Sequence, residues 1–139
     1  RLRLGDTQAV LGNFLSITRV HNSGAAFGLM ATLPPSMREP FFSLVPGATL
    51  AVIMVVFYRL RESQHLSARA LALIVGGAFG NLADRIRLDY VIDFLDFHWK
   101  SGWHFPAFNV ADSAITLGVA MLLFGMLVDK EESAEKVSY

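Results

Sequence analysis

Residues 111–128 form an apolar run in which Asp112 is the only ionisable side chain. A helix that crosses the hydrocarbon core of a bilayer needs about 20 largely apolar residues, so this run reads as a membrane span. Asp112 then lies at or just inside the bilayer boundary, where a carboxylate is costly and functional by default. A second carboxylate, Asp93 in Tyr90-Val-Ile-Asp-Phe, also sits in apolar surroundings.

The composition agrees with a membrane environment. The chain has 139 residues, 53% hydrophobic and 17% charged, against about 25% charged in soluble domains. Its net charge is zero and no basic stripe is present, so no nucleic-acid partner is expected. It has no cysteine, which excludes disulfides, thiolate metal sites and a cysteine nucleophile.

Further spans are expected at residues 41–58 and 68–83. The second is short and carries Gly76, Gly77 and Gly80, so it is expected to pack inside a bundle and to end near Asn81. The Gly76-x-x-x-Gly80 spacing allows helices to approach closely. Arg59, Arg61 and Arg69 in one short loop, with Lys130 and Lys136 in the tail, place the loop and tail on the cytoplasmic side. Segments 1–40 and 84–110 then face outward, and both aspartates lie on that side. Because the chain starts at Arg1 with no apolar segment before its outward part, a first helix upstream is expected, giving four spans with both termini inside.

The outward segments carry strand signals. Phe14-Leu-Ser-Ile-Thr-Arg-Val alternates and is rich in β-branched residues. Residues 90–99 and 103–108 flank a turn signal, Lys100-Ser-Gly, consistent with a hairpin. With Ser101-Gly102 as a two-residue loop, Asp93 lies across from Val110, beside Asn109 and two residues from Asp112. The two carboxylates are then close enough to share a proton, because neighbouring carboxylates do not both ionise cheaply. One, ionised, would take a proton from water while the other polarises a scissile carbonyl and then protonates the leaving amine, with no metal or cofactor. Taken singly, Asp112 also suits a helix N-cap and Asp93 a solvated loop position.

Four blocks carry a family resemblance: Asn22-Ser-Gly-Ala-Ala-Phe, Gly76-Gly-Ala-Phe-Gly-Asn-Leu-Ala-Asp-Arg, Val91-Ile-Asp-Phe and Phe108-Asn-Val-Ala-Asp-Ser. In this order and spacing the chain resembles bacterial lipoprotein signal peptidase, or signal peptidase II, over nearly its whole length. The resemblance implies an α-helical integral membrane protein, a four-helix transmembrane bundle whose first helix is absent from this chain, with a small periplasmic β-cradle. Residues 1–139 would form a single membrane-embedded peptidase domain in the bacterial inner membrane, probing the periplasmic side with its active site. The implied substrate is a prolipoprotein cut just before its diacylglyceryl-modified cysteine, with membrane lipids as the other partner and a monomeric enzyme. Asp93 and Asp112 match the catalytic pair.

Asn22, Asn81 and Asn109 match residues around that active site, with local turn or helix capping as the alternative role for Asn22 and Asn109. Arg85 matches a residue that would hold substrate carbonyls or phase the site, against a plain interfacial salt bridge or snorkelling role. Asp84 would orient the local network, and Gly77 would give the backbone clearance. Residues 30–38, with Pro34-Pro35, resemble a mobile loop covering the cleft.

Two other functional classes fit part of the pattern. Asp93, Asp96, His98 and His104 together would suit a divalent metal in a membrane metalloenzyme, although alternation turns His98 away from Asp93. A channel or transporter module using the aspartates as an ion relay is the other, and the short, repeat-free chain argues against it.

Overall fold

A computed structural model describes residues 2–23, 34–60, 64–99 and 102–137. Among the described residues, three helices and four strands follow the order β1 (Thr7–Leu11), β2 (Leu15–Asn22), α1 (Pro35–Tyr58), α2 (His65–Leu88), β3 (Val91–Trp99), β4 (Trp103–His104) and α3 (Val110–Val137). Among the described residues, α2 and residues 110–127 of α3 are long and apolar enough to cross a membrane. The expected span at 41–58 is represented by a shorter apolar stretch, Gly47–Tyr58, within α1. That helix already begins at Pro35, with Pro34 as its N-cap. Residues 35–38 are therefore helical rather than part of a covering loop, and residues 30–33 lie outside the described residues.

Two glycines set how α2 and α3 pack. A Cβ at Gly77 would strike the Ala111 carbonyl oxygen and come within 2.8 Å of Ile115 Cγ1. One at Gly118 would lie 2.6 Å from the Ala70 carbonyl oxygen and 2.7 Å from Ile74 Cγ1. The helices run antiparallel and touch backbone to backbone, as small residues permit in an apolar medium. The expected pair, Gly76 and Gly80, does not make this contact: Gly76 faces open space, and Gly80 meets only Ala111 Cβ at 3.6 Å. The reason is helical phase. Ala70, Ile74, Gly77, Asn81 and Arg85 follow one stripe of α2, and Gly76 and Gly80 stand one residue, about 100°, off it.

The same stripe changes from apolar to polar toward the outer end. Ala70, Leu71 and Ile74 are buried core, whereas Asn81 and Arg85 continue the line as polar groups. The helix does not stop near Asn81 but runs to Leu88. Asp89, with φ of 66°, ends it in the left-handed region and donates its N–H to the Arg85 carbonyl. Aspartate tolerates that conformation better than most residues. The opposite faces of the helices leave Leu117, Leu123, Phe124, Met126 and Leu127 exposed, a surface suited to lipid.

The strands form one antiparallel sheet in the order β1-β2-β3-β4. The expected strand at Phe14-Leu-Ser-Ile-Thr-Arg-Val is β2, and β1 pairs beside it through a turn containing Gly12 at φ 48°. Between β2 and β3, Ile17 pairs with Leu95 but Val20 pairs with Asp93, so Thr18 and Arg19 together oppose Phe94. This bulge changes which side chains share a face. Without it, His21 would take the place of Asn22 on the face that carries Asp93.

At the hairpin tip His98 pairs with His104 and Trp99 with Trp103, leaving three residues between the paired ends. The two-residue Ser101-Gly102 loop is therefore one residue out of register. The pairing returns to the expected register at Leu95 and Phe108. The extra residue is absorbed around Pro106, which has no N–H for a ladder and is placed where a bulge tolerates it.

Candidate active site

β3 ends the path from α2 and carries Asp93, while the strand-to-helix junction after β4 carries Asn109 and Asp112. Asn109 precedes α3, and its side-chain Oδ1 accepts the Asp112 backbone N–H at 3.1 Å. The Asp112 carboxylate in turn accepts the Asn109 backbone N–H at 3.1 Å. This reciprocal pair is a capping box. The N-cap is thus Asn109, and Asp112 occupies the third helical position rather than the cap itself. The capping role and the site role of Asn109 are one geometry.

Asn109 also joins the two acids. Its Nδ2 donates to Asp93 Oδ1 at 2.8 Å and to Asn81 Oδ1 at 3.1 Å. Asn81 Nδ2 donates to Asp112 Oδ1 at 2.8 Å. From β2, Asn22 Nδ2 donates to Asp93 Oδ2 at 2.9 Å. Both oxygens of each carboxylate therefore accept a hydrogen bond, and the acids are linked through Asn109. Hydrogen bonds to charged groups are worth about 1.5–3 kcal/mol each, enough to hold carboxylates in so apolar a setting.

Asp93 is 2% exposed and Asn109 is 5% exposed. Burial pushes the Asp93 carboxyl above the usual carboxylate range, and the charge of Asp112 adds to the rise; the bonds from Asn22 and Asn109 and the charge of Arg85 oppose it. At the start of α3, Asp112 meets the positive end of the helix backbone dipole. The environments of the two acids thus differ, which is what separates an acid from a base.

Arg85 donates weakly to the Asn81 carbonyl, at 3.4 Å. Its Nε is buried with no hydrogen-bond partner among the described residues. The charges of Asp112, Asp93 and Asp84 all act on the guanidinium. Gly77 lies beneath, where its bare backbone lets the first turn of α3 reach α2. All eight residues singled out in the sequence, Asn22, Gly77, Asn81, Asp84, Arg85, Asp93, Asn109 and Asp112, fall in this one region.

The alternative metal set divides. Asp93 is on one face of β3, while Asp96 and His98 are on the other. His104 Nδ1 bonds the Asp96 carboxylate at 3.0 Å, and His98 Nε2 bonds Ser16 Oγ at 2.9 Å. Among the described residues no cluster of three such ligands is present.

The bulge in β2 is a site-forming feature that the strand pattern did not reveal on simple alternation. The signal was nevertheless there: the apolar positions Leu15, Ile17 and Val20 change from a spacing of two to a spacing of three.

A family model described as Signal peptidase (SPase) II matches residues 1–128. A protein of Geobacter sulfurreducens named lipoprotein signal peptidase is 54% identical over 125 residues, covering 90% of this chain and 76% of its own length. A protein of the same name from Geobacter metallireducens is 46% identical over 134 residues, covering 96% of this chain and 81% of its own. A solved structure described as a bacterial membrane enzyme, determined in meso at 2.3 Å resolution, superposes with a TM-score of 0.80 at 32% identity, covering 94% of this chain and 76% of that one.

Proposed function

This chain belongs to the signal peptidase II family, and from that premise we propose that Asp93 and Asp112 are the catalytic pair of an aspartic endopeptidase that removes signal peptides from prolipoproteins. The observation that carries the assignment is Asn109, whose side-chain amide holds Asp93 and whose backbone N–H holds Asp112, at 2.8 and 3.1 Å. Two acids with different surroundings, tied through one residue, are arranged to divide the work of base and acid.

In this reading Asp112 is ionised at rest and Asp93 protonated. A water between them gives a proton to Asp112 as its oxygen attacks the scissile carbonyl carbon. Asp93 gives a hydrogen bond to the developing oxyanion while keeping its proton, and the Arg85 Nε, which has no hydrogen-bond partner among the described residues, supports a substrate carbonyl. When the tetrahedral intermediate collapses, the C–N bond breaks and a proton from the pair passes to the leaving amine. The coupled acids exchange one proton and return to their starting state. Asn22 and Asn81 hold the carboxylates in place, and Gly77 keeps α3 close enough for Asn81 to reach Asp112.

In this reading the enzyme is a four-span bundle in the bacterial inner membrane, with the sheet and the acids on the periplasmic side. The substrate carries a diacylglyceryl cysteine and is cut just before it. Support comes from the exposed apolar helix faces beside the acids, because burying acyl chain yields about 0.8 kcal/mol per CH₂. Cleavage of a purified prolipoprotein, with and without its diacylglyceryl group, tests both parts of the reading. Lipidated precursor is expected to be cut far faster, giving a new N-terminus at the modified cysteine; equal rates would remove the lipid from recognition, and no cleavage of either would remove the function.

A further inference from the structure

The two faces of the sheet differ in chemistry. Ser16, Thr18, Asp96, His98 and His104 share one face, and its polar groups bond each other across strands. The other face carries Asp93 and, beyond it, a run of aromatic rings. Phe108 stacks on Phe97 at 5.7 Å and meets Phe105 edge to face at 5.8 Å. Phe14 meets Phe97 at 5.2 Å and Trp99 at 6.3 Å, and Trp103 lies 6.3 Å from Phe105. Toward the hairpin tip these rings become open: Trp99 is 62% exposed and Trp103 is 60% exposed.

Direction follows from the site. Asp93 meets Asn109 and, through it, Asn81 and Asp112 at the outer ends of α2 and α3. The aromatic face therefore looks toward the ends of the membrane-crossing helices. On the proposed reading those helix ends lie at the outer boundary of the bilayer, and this face turns its exposed rings toward that boundary. Trp and Tyr concentrate at the level of lipid headgroups, where an apolar ring is buried and its N–H or O–H stays hydrated.

We propose that the tip of the β3–β4 hairpin is a membrane-interface anchor: Trp99 and Trp103, with Phe14 and Phe105 behind them, rest in the headgroup and glycerol layer of the phospholipid in which the helices sit. The anchor holds the sheet down over the helix ends and so fixes the height of Asp93 relative to the bilayer. It rests on the reading above that the sheet lies at the outer membrane boundary of the enzyme.

The chain has only two tryptophans, and both are in this hairpin. Its intrinsic fluorescence therefore reports on the proposed anchor alone. The full chain is reconstituted into phosphatidylcholine–phosphatidylglycerol vesicles, and emission is read with lipids brominated near the glycerol, with lipids brominated near the chain end, and with aqueous iodide. Trp99→Phe and Trp103→Phe variants separate the two rings. The expected result is emission shifted to the blue of water-exposed tryptophan, strongest quenching by bromine near the glycerol, and weak quenching by iodide. Strong iodide quenching with none by brominated lipid would overturn the proposal, as would emission that changes with protein-to-lipid ratio, the sign of a second copy on this face. Retained cleavage with no lipid quenching would sink the anchor alone. Lipid quenching without any prolipoprotein cleavage would support the anchor and count only against the peptidase reading.

Discussion

Asn22 and Asp93 lie 71 positions apart in sequence and 2.9 Å apart in space, and this bond gives a direct handle on the protonation of the site. It favours the ionised form of Asp93 and so opposes the rise that burial imposes. Asn22→Ala is therefore expected to let the Asp93 carboxyl rise further. The sign follows directly: a raised folded value means that the native protein holds this proton more tightly than the unfolded chain, so stability falls as pH rises from the ordinary carboxylate range through the raised value. Activity should show a bell-shaped pH dependence whose alkaline limb reports loss of the Asp93 proton. In Asn22→Ala that limb should move to higher pH, by up to about one unit, since a hydrogen bond to a charged group is worth about 1.5 kcal/mol and one unit about 1.4 kcal/mol. A pH profile of kcat/KM checks this; a limb that stays in place or moves down would detach it from Asp93. The identity of the acids was legible because carboxylates in apolar sequence are conspicuous, and the nearness of Asp112 and Asn109 is local. The Asn22 contact depends on a pairing across most of the chain, which no local pattern encodes.

Elements place these residues through close approach and register. Gly77 has room for no side chain, because its Cβ would strike the Ala111 carbonyl in the first turn of α3. Gly77→Ala should push that turn away, weaken the bond from Asn81 to Asp112 and cost about 1–3 kcal/mol in stability, the usual penalty of overpacking. Gly76→Ala, where a Cβ meets nothing within 4 Å, should be neutral. Comparing melting temperature and cleavage rate for the two variants checks the assignment; equal effects would mean that the helices do not pack through Gly77. Sequence spacing alone favoured Gly76 and Gly80, since the small-residue motif does not say which side of a helix faces its neighbour. The polar continuation of the Ala70, Ile74 and Gly77 stripe at Asn81 and Arg85 does say so. Similarly, the hairpin was legible from its turn residues, but its tip slipped by one position because the bulge near Pro106 lies outside any short turn rule. β1 was not anticipated: all five of its residues are exposed, so it has no alternation to read.

At the scale of the whole molecule, apolar helices, a sheet with two unlike faces and a linked pair of acids, Asp93 buried and Asp112 half-buried, meet at one end of the helices, and on the proposed reading they make a single device that works at the edge of a membrane. The apolar composition already indicated the membrane, whereas the sheet that closes over the helix ends is a product of long-range pairing. Because the oxygen and imidazole groups first considered together separate onto two faces of β3, activity should survive exhaustive chelation; loss with chelator and recovery on adding one divalent ion would contradict an all-protein mechanism. The central claim is that Asp93 and Asp112 act as one unit, and the most direct test is the single-turnover cleavage rate of a lipidated prolipoprotein by Asp93→Asn, Asp112→Asn and the double variant, each shown to be folded in the membrane. An amide keeps the shape of the acid but cannot accept the water proton or share one. Each single variant should lose at least about 100-fold, the lower range for general acid–base catalysis, and the double variant should be little slower than either single one, because groups that work together do not lose activity additively. Near-normal turnover by either single variant, or losses that simply multiply in the double variant, would contradict the account.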